Sequence, residues 1–136
     1  MKVLFVDDMS FSMKYYVQAL RDNGITVELR SDIDKAVNDF RAQVPWDGAI
    51  VDVMFDQPEP APRYRAIDPE GLRAGLLLTD ELRAIQPTLR VIVLTNRPEL
   101  EAARELSQRP YVHVARKLDT NPIDFVDTVR RFFAPR

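Results

Sequence analysis

Three short runs in this chain are almost uninterruptedly apolar and rich in valine and isoleucine: residues 3–6 (VLFV), 49–53 (AIVDV) and 91–94 (VIVL). Continuous rather than alternating hydrophobicity is what a strand needs when both of its faces are buried, and such strands belong to parallel sheets covered by helices. Weaker runs at 25–29 and 111–115 bring the number of expected strands to five. Helical spacing fills the gaps between them. Met13, Val17 and Leu20 follow i, i+4, i+7, and Gly24 is placed to close that helix in a left-handed conformation. Ser31 with Asp34 reads as the start of a second helix, Asp68-Pro69-Glu70 as the cap and first turn of a third over 72–85, Pro98-Glu99 as a fourth and Asn121-Pro122 as a fifth. Strict alternation of strand and helix predicts an α/β fold with a five-stranded parallel sheet, doubly wound, because parallel strands require crossover helices.

A sheet of this kind binds its ligand beyond the carboxyl ends of its strands. The first strand ends in Asp7-Asp8, the third carries Asp52 near its end, Thr95 follows the fourth and Lys117 the fifth. The fold would gather all five on one rim. Crowded carboxylates raise one another's pKa unless a cation sits among them. A hard divalent ion, Mg²⁺ above all, suits carboxylates, a carbonyl and waters. A lysine and a hydroxyl beside them are the donors that phosphoryl oxygens require. Taken singly, Asp7 or Asp8 reads as a cap or loop acid, Thr95 as structural and Lys117 as a solvated lysine. An unpaired carboxylate inside an apolar run, as at Asp52, is costly.

The rest of the composition narrows the classes. The chain has 136 residues, enough for one domain that buries about two-thirds of its unfolded surface without staples. Basic and acidic residues number 19 and 21, which argues against direct binding to nucleic acid. There is no cysteine and one histidine, so disulfides, thiolate zinc, cysteine nucleophiles and His-rich metal sites are excluded. His113, lying in the fifth strand run, reads as a packed or surface side chain. The first strand starts too early for a secretion signal and no apolar stretch approaches a membrane span, so the expectation is a cytoplasmic protein with no membrane association.

The strand-one acids in VLFVDD, the aspartate in AIVDVM, the threonine in VIVLTN and the lysine in VARKL, in that order, resemble the receiver domain of two-component response regulators. The resemblance covers nearly the whole chain, 1–136, as a single receiver domain. It implies a flavodoxin-like fold with strand order 2-1-3-4-5 and five helices. It makes Asp52 the acceptor of a phosphoryl group from a phosphohistidine of a histidine kinase or histidine phosphotransfer protein. Asp8 and Asp52 would hold Mg²⁺ directly and Asp7 largely through water, with the Met54 carbonyl completing the protein ligands. Lys117 would pair with Asp52 and then with the phosphoryl group, and Thr95 would swing in to donate its hydroxyl. Such a protein is at most self-phosphorylating and self-dephosphorylating. As a stand-alone receiver, a monomer or weak homodimer, it would signal by contact with a downstream protein. A phosphorylation-independent pseudo-receiver is the alternative. A haloacid-dehalogenase-type phosphatase would want an aspartate where Met54 stands, and a nucleotide-binding domain a glycine-rich turn after strand one.

Four features depart from that pattern or add to it. The place of the family's switch aromatic is held by Val114, with Tyr111 nearby in the strand run. Leu118 follows the lysine where proline is usual, and a cis bond there would cost about 3–4 kcal/mol. Asn96 stands where a small residue is usual after the threonine. The segment 54–70, carrying four of the ten prolines, is too long for an ordinary strand-to-helix loop. It reads as an insertion that extends the third helix and presents Tyr64, between Arg63 and Arg65, as a basic-aromatic tip: a lid or partner-binding element, with an arginine sensing the phosphoryl charge or an acidic partner. Phe11 and Tyr15, one turn apart and off the core stripe, are expected on the surface that meets the phosphodonor.

Overall fold

Five parallel strands form one sheet in the computed structural model, which describes residues 1–57 and 59–134. In chain order they are β1 (Lys2–Val6), β2 (Thr26–Arg30), β3 (Gly48–Val51), β4 (Val91–Thr95) and β5 (Val112–Arg116). The helices are α1 (Lys14–Asp22), α2 (Ile33–Ala42), α3 (Ala74–Ile85), α4 (Glu101–Ser107) and α5 (Pro122–Phe133). The strand order is β2-β1-β3-β4-β5, the doubly wound, flavodoxin-like arrangement expected. No helix among the described residues is long and apolar enough to cross a membrane.

Strand side chains alternate between faces, and the core divides accordingly. Val3, Phe5, Ile50, Ile92 and Leu94 pack with Met13, Val17 and Leu20 of the first helical segment and with Phe125, Val129 and Phe133 of α5. Leu4, Val6, Ala49, Val51, Val91 and Val93 pack on the other face against α2, α3 and α4, through Phe40, Leu78, Leu82 and Leu106. The Phe40 ring stacks on Trp46 with centroids 5.6 Å apart. With both faces covered, the middle strands leave no polar position to spare, which is why their sequences are continuous apolar runs.

Local signals fared unevenly. Asn121 caps α5, its side chain accepting from Asp124 N–H at 2.9 Å, with Pro122 in the first turn. Gly24 follows α1 with φ +80°. The cap of α2 is Asp32 rather than Ser31, accepting from Lys35 N–H at 2.9 Å. The third helix does not begin at Asp68. Asp68 instead turns its carboxylate onto Arg73 N–H at 3.0 Å, holding 68–73 as a turn, and α3 starts at Ala74. Pro98 and Glu99 lie before α4, which starts at Glu101. Tyr111 precedes β5 with φ +59°, held by its carbonyl to Val91 N–H at 3.0 Å, so strand alternation does not set its side chain.

Candidate functional site

In this strand order β1 leads to β2 on one side and abuts β3 on the other, so the switch point falls between β1 and β3. Asp7 and Asp8 leave β1 there and Asp52 follows β3 directly, one residue beyond its last strand position. The ladder continues far enough to fix both backbones: Asp7 N–H donates to the Arg30 carbonyl at 3.0 Å and Asp52 N–H to the Val6 carbonyl at 3.2 Å. Asp7, Asp8 and Asp52 each place a carboxylate oxygen within 4.8 Å of the others. Asp7 is fully buried and Asp52 nearly so.

Lys117 answers two of the three charges. From the turn after β5 its ammonium donates to Asp7 Oδ2 at 2.8 Å and to Asp52 Oδ2 at 3.0 Å. The remaining oxygens meet backbone: Asp7 Oδ1 accepts from Met9 N–H at 2.8 Å and Asp52 Oδ1 from Val53 N–H at 2.7 Å. Burial pushes the Asp7 carboxyl above its usual value, opposed by Lys117 and reinforced by Asp52. Burial also raises Asp8, against the amide hydrogen bonds it accepts and with repulsion from Asp52 and Asp56. For Lys117, burial works against the charge, yet attraction to Asp52 and Asp7 outweighs it and the net shift is upward. Three carboxylates against one ammonium leave excess negative charge in a small space, and the donors are all oxygen. That set fits a small hard dication, whose ligands at about 2.0–2.1 Å span about 4 Å across the ion.

Thr95, the last residue of β4, is buried, and its Oγ1 accepts from Arg97 N–H at 3.0 Å. Thr95, Asn96, Arg97 and Met54 border the same cleft of about 230 Å³ as Asp8, Asp52 and Lys117. All of the expected site residues thus meet at one rim.

Tyr16 and the amides of Asp56 and Gln57 had no signature in the sequence, whereas Gly75 matches the glycine that the resemblance places at the start of the third helix. The Tyr16 hydroxyl spans the carbonyls of Lys117 and Thr120 at 3.0 and 2.7 Å, pinning the turn that carries the lysine. The backbone amides of Asp56 and Gln57 donate to Asp8 Oδ2 at 3.0 and 2.9 Å. Gly75 lies so close to the acceptor strand that a Cβ would fall 2.0 Å from the Asp52 carbonyl oxygen. No side chain fits there.

No family model and no curated protein sequence matches the chain. Solved structures do. A response regulator receiver domain protein from Clostridium thermocellum is 20% identical with a TM-score of 0.75, the match covering 97% of this chain and 93% of that one. The fold is that of a response-regulator receiver domain. A CheY-like receiver domain protein from Methanospirillum hungatei JF-1 is 18% identical with a TM-score of 0.74, covering 97% of this chain and 92% of that one. The receiver domain of the hybrid histidine kinase CckA is 18% identical with a TM-score of 0.69, covering 98% of this chain and 99% of that one. At such identities the likeness is one of fold.

Within that receiver fold, Val114 is a half-buried residue of β5 packed beside α4, and Leu118 is 75% exposed. The Lys117–Leu118 bond is trans, the cis bond among the described residues being Val44–Pro45. His113 is exposed on the edge strand, its ring 5.8 Å from that of Phe132. Phe11 and Tyr15 are 79% and 67% exposed, with the Lys14 ammonium 4.6 and 5.1 Å from their ring centroids. The 54–70 segment corrects the expectation of a basic-aromatic tip. Tyr64 is buried in the same core cluster as Phe55, and burial and the nearby Glu81 carboxylate push its phenol well up. Arg63 is taken up by Glu81 of α3 at 2.8 Å and Asp34 of α2 at 2.7 Å, and Arg65 faces Glu59 at 3.8 Å. Arg63 is therefore committed to carboxylates of the protein's own helices and is not free to sense a phosphoryl charge.

Proposed function

We propose that this protein is a phosphoryl-accepting signalling module of the two-component type, working in the cytoplasm, with Asp52 as acceptor. The observation that carries the reading is the Asp52 carboxylate at the switch point, hydrogen-bonded to Lys117 and gathered with Asp7 and Asp8. An Asp52 oxygen attacks the phosphorus of a phosphohistidine on a histidine kinase or phosphotransfer protein. The P–N bond breaks, its electron pair returns to the imidazole, and an acyl phosphate forms on Asp52. Water later attacks phosphorus, the O–P bond breaks, and carboxylate and inorganic phosphate are regenerated. Asp8, Asp52 and the Met54 carbonyl would hold Mg²⁺ directly and Asp7 through water; bound there, the ion supplies the positive charge that lets phosphoryl oxygens approach three carboxylates. Lys117 stands ready to shift from the carboxylates to a phosphoryl oxygen, and the Thr95 hydroxyl hydrogen is available to donate to another. Output is then a contact with a downstream protein, made by a monomer or weak homodimer.

The experiment is incubation with acetyl phosphate and Mg²⁺, read by intact mass. Wild type should gain one phosphoryl group and Asp52→Asn none. Phosphorylated Asp52→Asn would move the acceptor elsewhere. A wild type inert to acetyl phosphate and to beryllofluoride would favour the second reading, a phosphorylation-independent interaction module. Val114 in the place of the switch aromatic and Leu118 in the place of proline support that alternative.

A further inference from the structure

Between Phe55 and Gly71 the described residues leave the site and return to it as an Ω-shaped loop, its ends together and its body packed onto the core and the neighbouring helices. The neck is tied by Phe55 N–H to the Gly71 carbonyl at 2.9 Å and by Gly75 N–H to the Val53 carbonyl at 2.8 Å. Gly71 has φ +73°, and a Cβ there would fall 2.3 Å from the Phe55 carbonyl oxygen. Only glycine closes the neck so tightly. The body is fixed elsewhere, by Tyr64 in the core and by Arg63 on Asp34 and Glu81. Between neck and body stand the two amides that grip Asp8 Oδ2.

Asp8 needs that grip. It is half-buried, and Asp52 and Asp56 repel it. Two N–H donors fix one of its oxygens and offset part of the repulsion, while Oδ1 accepts no hydrogen bond from the described residues. Groups that orient a ligating carboxylate in this way are worth much of a metal's affinity. Met54 is held by the same lacing, because its neighbours Val53 and Phe55 are both tied across the neck.

We propose that the Ω loop is the positioning element of the cation site: docking of its body through Arg63 sets the amides that hold Asp8 for a divalent cation. Loop docking and cation binding are then coupled, each favouring the other by the same factor. A partner that draws Arg63 away from Asp34 and Glu81 would loosen the cation. The proposal rests on the reading of Asp7, Asp8 and Asp52 as a Mg²⁺ site.

The test is an NMR titration of the full chain with Mg²⁺, in the absence of any phosphodonor. Arg63→Ala should raise the Mg²⁺ dissociation constant about three- to tenfold, below the roughly 10–100-fold typical of groups that bond a ligand directly. Arg63→Lys, which keeps the charge, should fall between that and wild type. In wild type, Mg²⁺ should slow amide hydrogen exchange across 61–68. In metal-free protein, Asp8→Ala should speed exchange at Asp56 and Gln57 and leave α1 and α5 unchanged. Wild-type or tighter affinity in Arg63→Ala overturns the coupling, and unchanged exchange in Asp8→Ala overturns the grip. A wild type that takes up no Mg²⁺ overturns the reading of the site, and the exchange at Asp56 and Gln57 still decides whether the loop holds Asp8.

Discussion

Lys117 is one positive charge shared between Asp7 and Asp52, with its side chain 10% exposed and that of Asp7 1% exposed. Breaking a buried pair by removing one partner leaves the other charge uncompensated and costs about 3–5 kcal/mol. Lys117→Met should therefore destabilise the metal-free protein by about that amount at neutral pH, read from urea denaturation. Asp7→Asn in the same background should restore part of the loss, since the stranded charge goes with it. An unchanged unfolding midpoint in Lys117→Met would show that the pair contributes nothing net. The five side chains of the site were legible as a set and not singly, because all stand near the ends of apolar runs that the fold brings to one rim. Tyr16 was not. Its partners are the carbonyls of Lys117 and Thr120, and a hydroxyl that bonds a distant backbone leaves no pattern in the sequence.

At the scale of the element, strands and helices follow from period, whereas the segment 54–70 does not. Its prolines and length mark it as irregular, but a loop's packing depends on the surfaces it returns to. Arg63 finds Asp34 and Glu81 because α2 and α3 lie side by side, and Tyr64 joins core residues that stand far from it in sequence. The Asp68-Pro69-Glu70 signal misled for a related reason: a capping side chain serves a turn as well as a helix, and here it serves Arg73. The docking carries a pH signature. Hydrogen bonds from Arg63 hold the Glu81 carboxyl below its usual 4.5. A carboxylate with a lowered folded pKa contributes stability that is present above the unfolded value and is lost as pH falls through the folded one. Glu81 is partly exposed, so the contribution is about 0.5–1 kcal/mol after screening. Glu81→Gln should thus be less stable than wild type at pH 7, and the gap should close on acidification below the usual carboxylate range. A gap independent of pH would assign the loss to packing.

For the whole molecule, the cleft has two unlike flanks. The Ω loop closes one side, lying on α2 and α3 and engaging its cationic Arg63 internally. The other side is open and apolar: Met9, Phe11 and Tyr15 on the approach to α1, and Leu118 and Ile123 around the turn into α5, are all at least half exposed. Tyr15 and Ile123 line a shared groove of about 550 Å³ between α1 and α5. Exposed aromatics that cost little ordering entropy make good anchors for a protein contact. On the proposed reading, a phosphohistidine carried on a protein brings its own surface to Asp52, and the open flank is α1 and the β5–α5 turn. A small donor such as acetyl phosphate needs only the cleft. The two donors should therefore part company on mutation. Phe11→Ala and Tyr15→Ala should slow transfer from a phosphohistidine protein about tenfold or more each, the loss of roughly 1.4 kcal/mol or more of docking energy. Labelling by acetyl phosphate should stay at the wild-type rate in both. Equal loss with both donors would place these side chains in the acceptor chemistry or the fold rather than in docking. No loss with either would turn the search for the donor surface to the Ω loop.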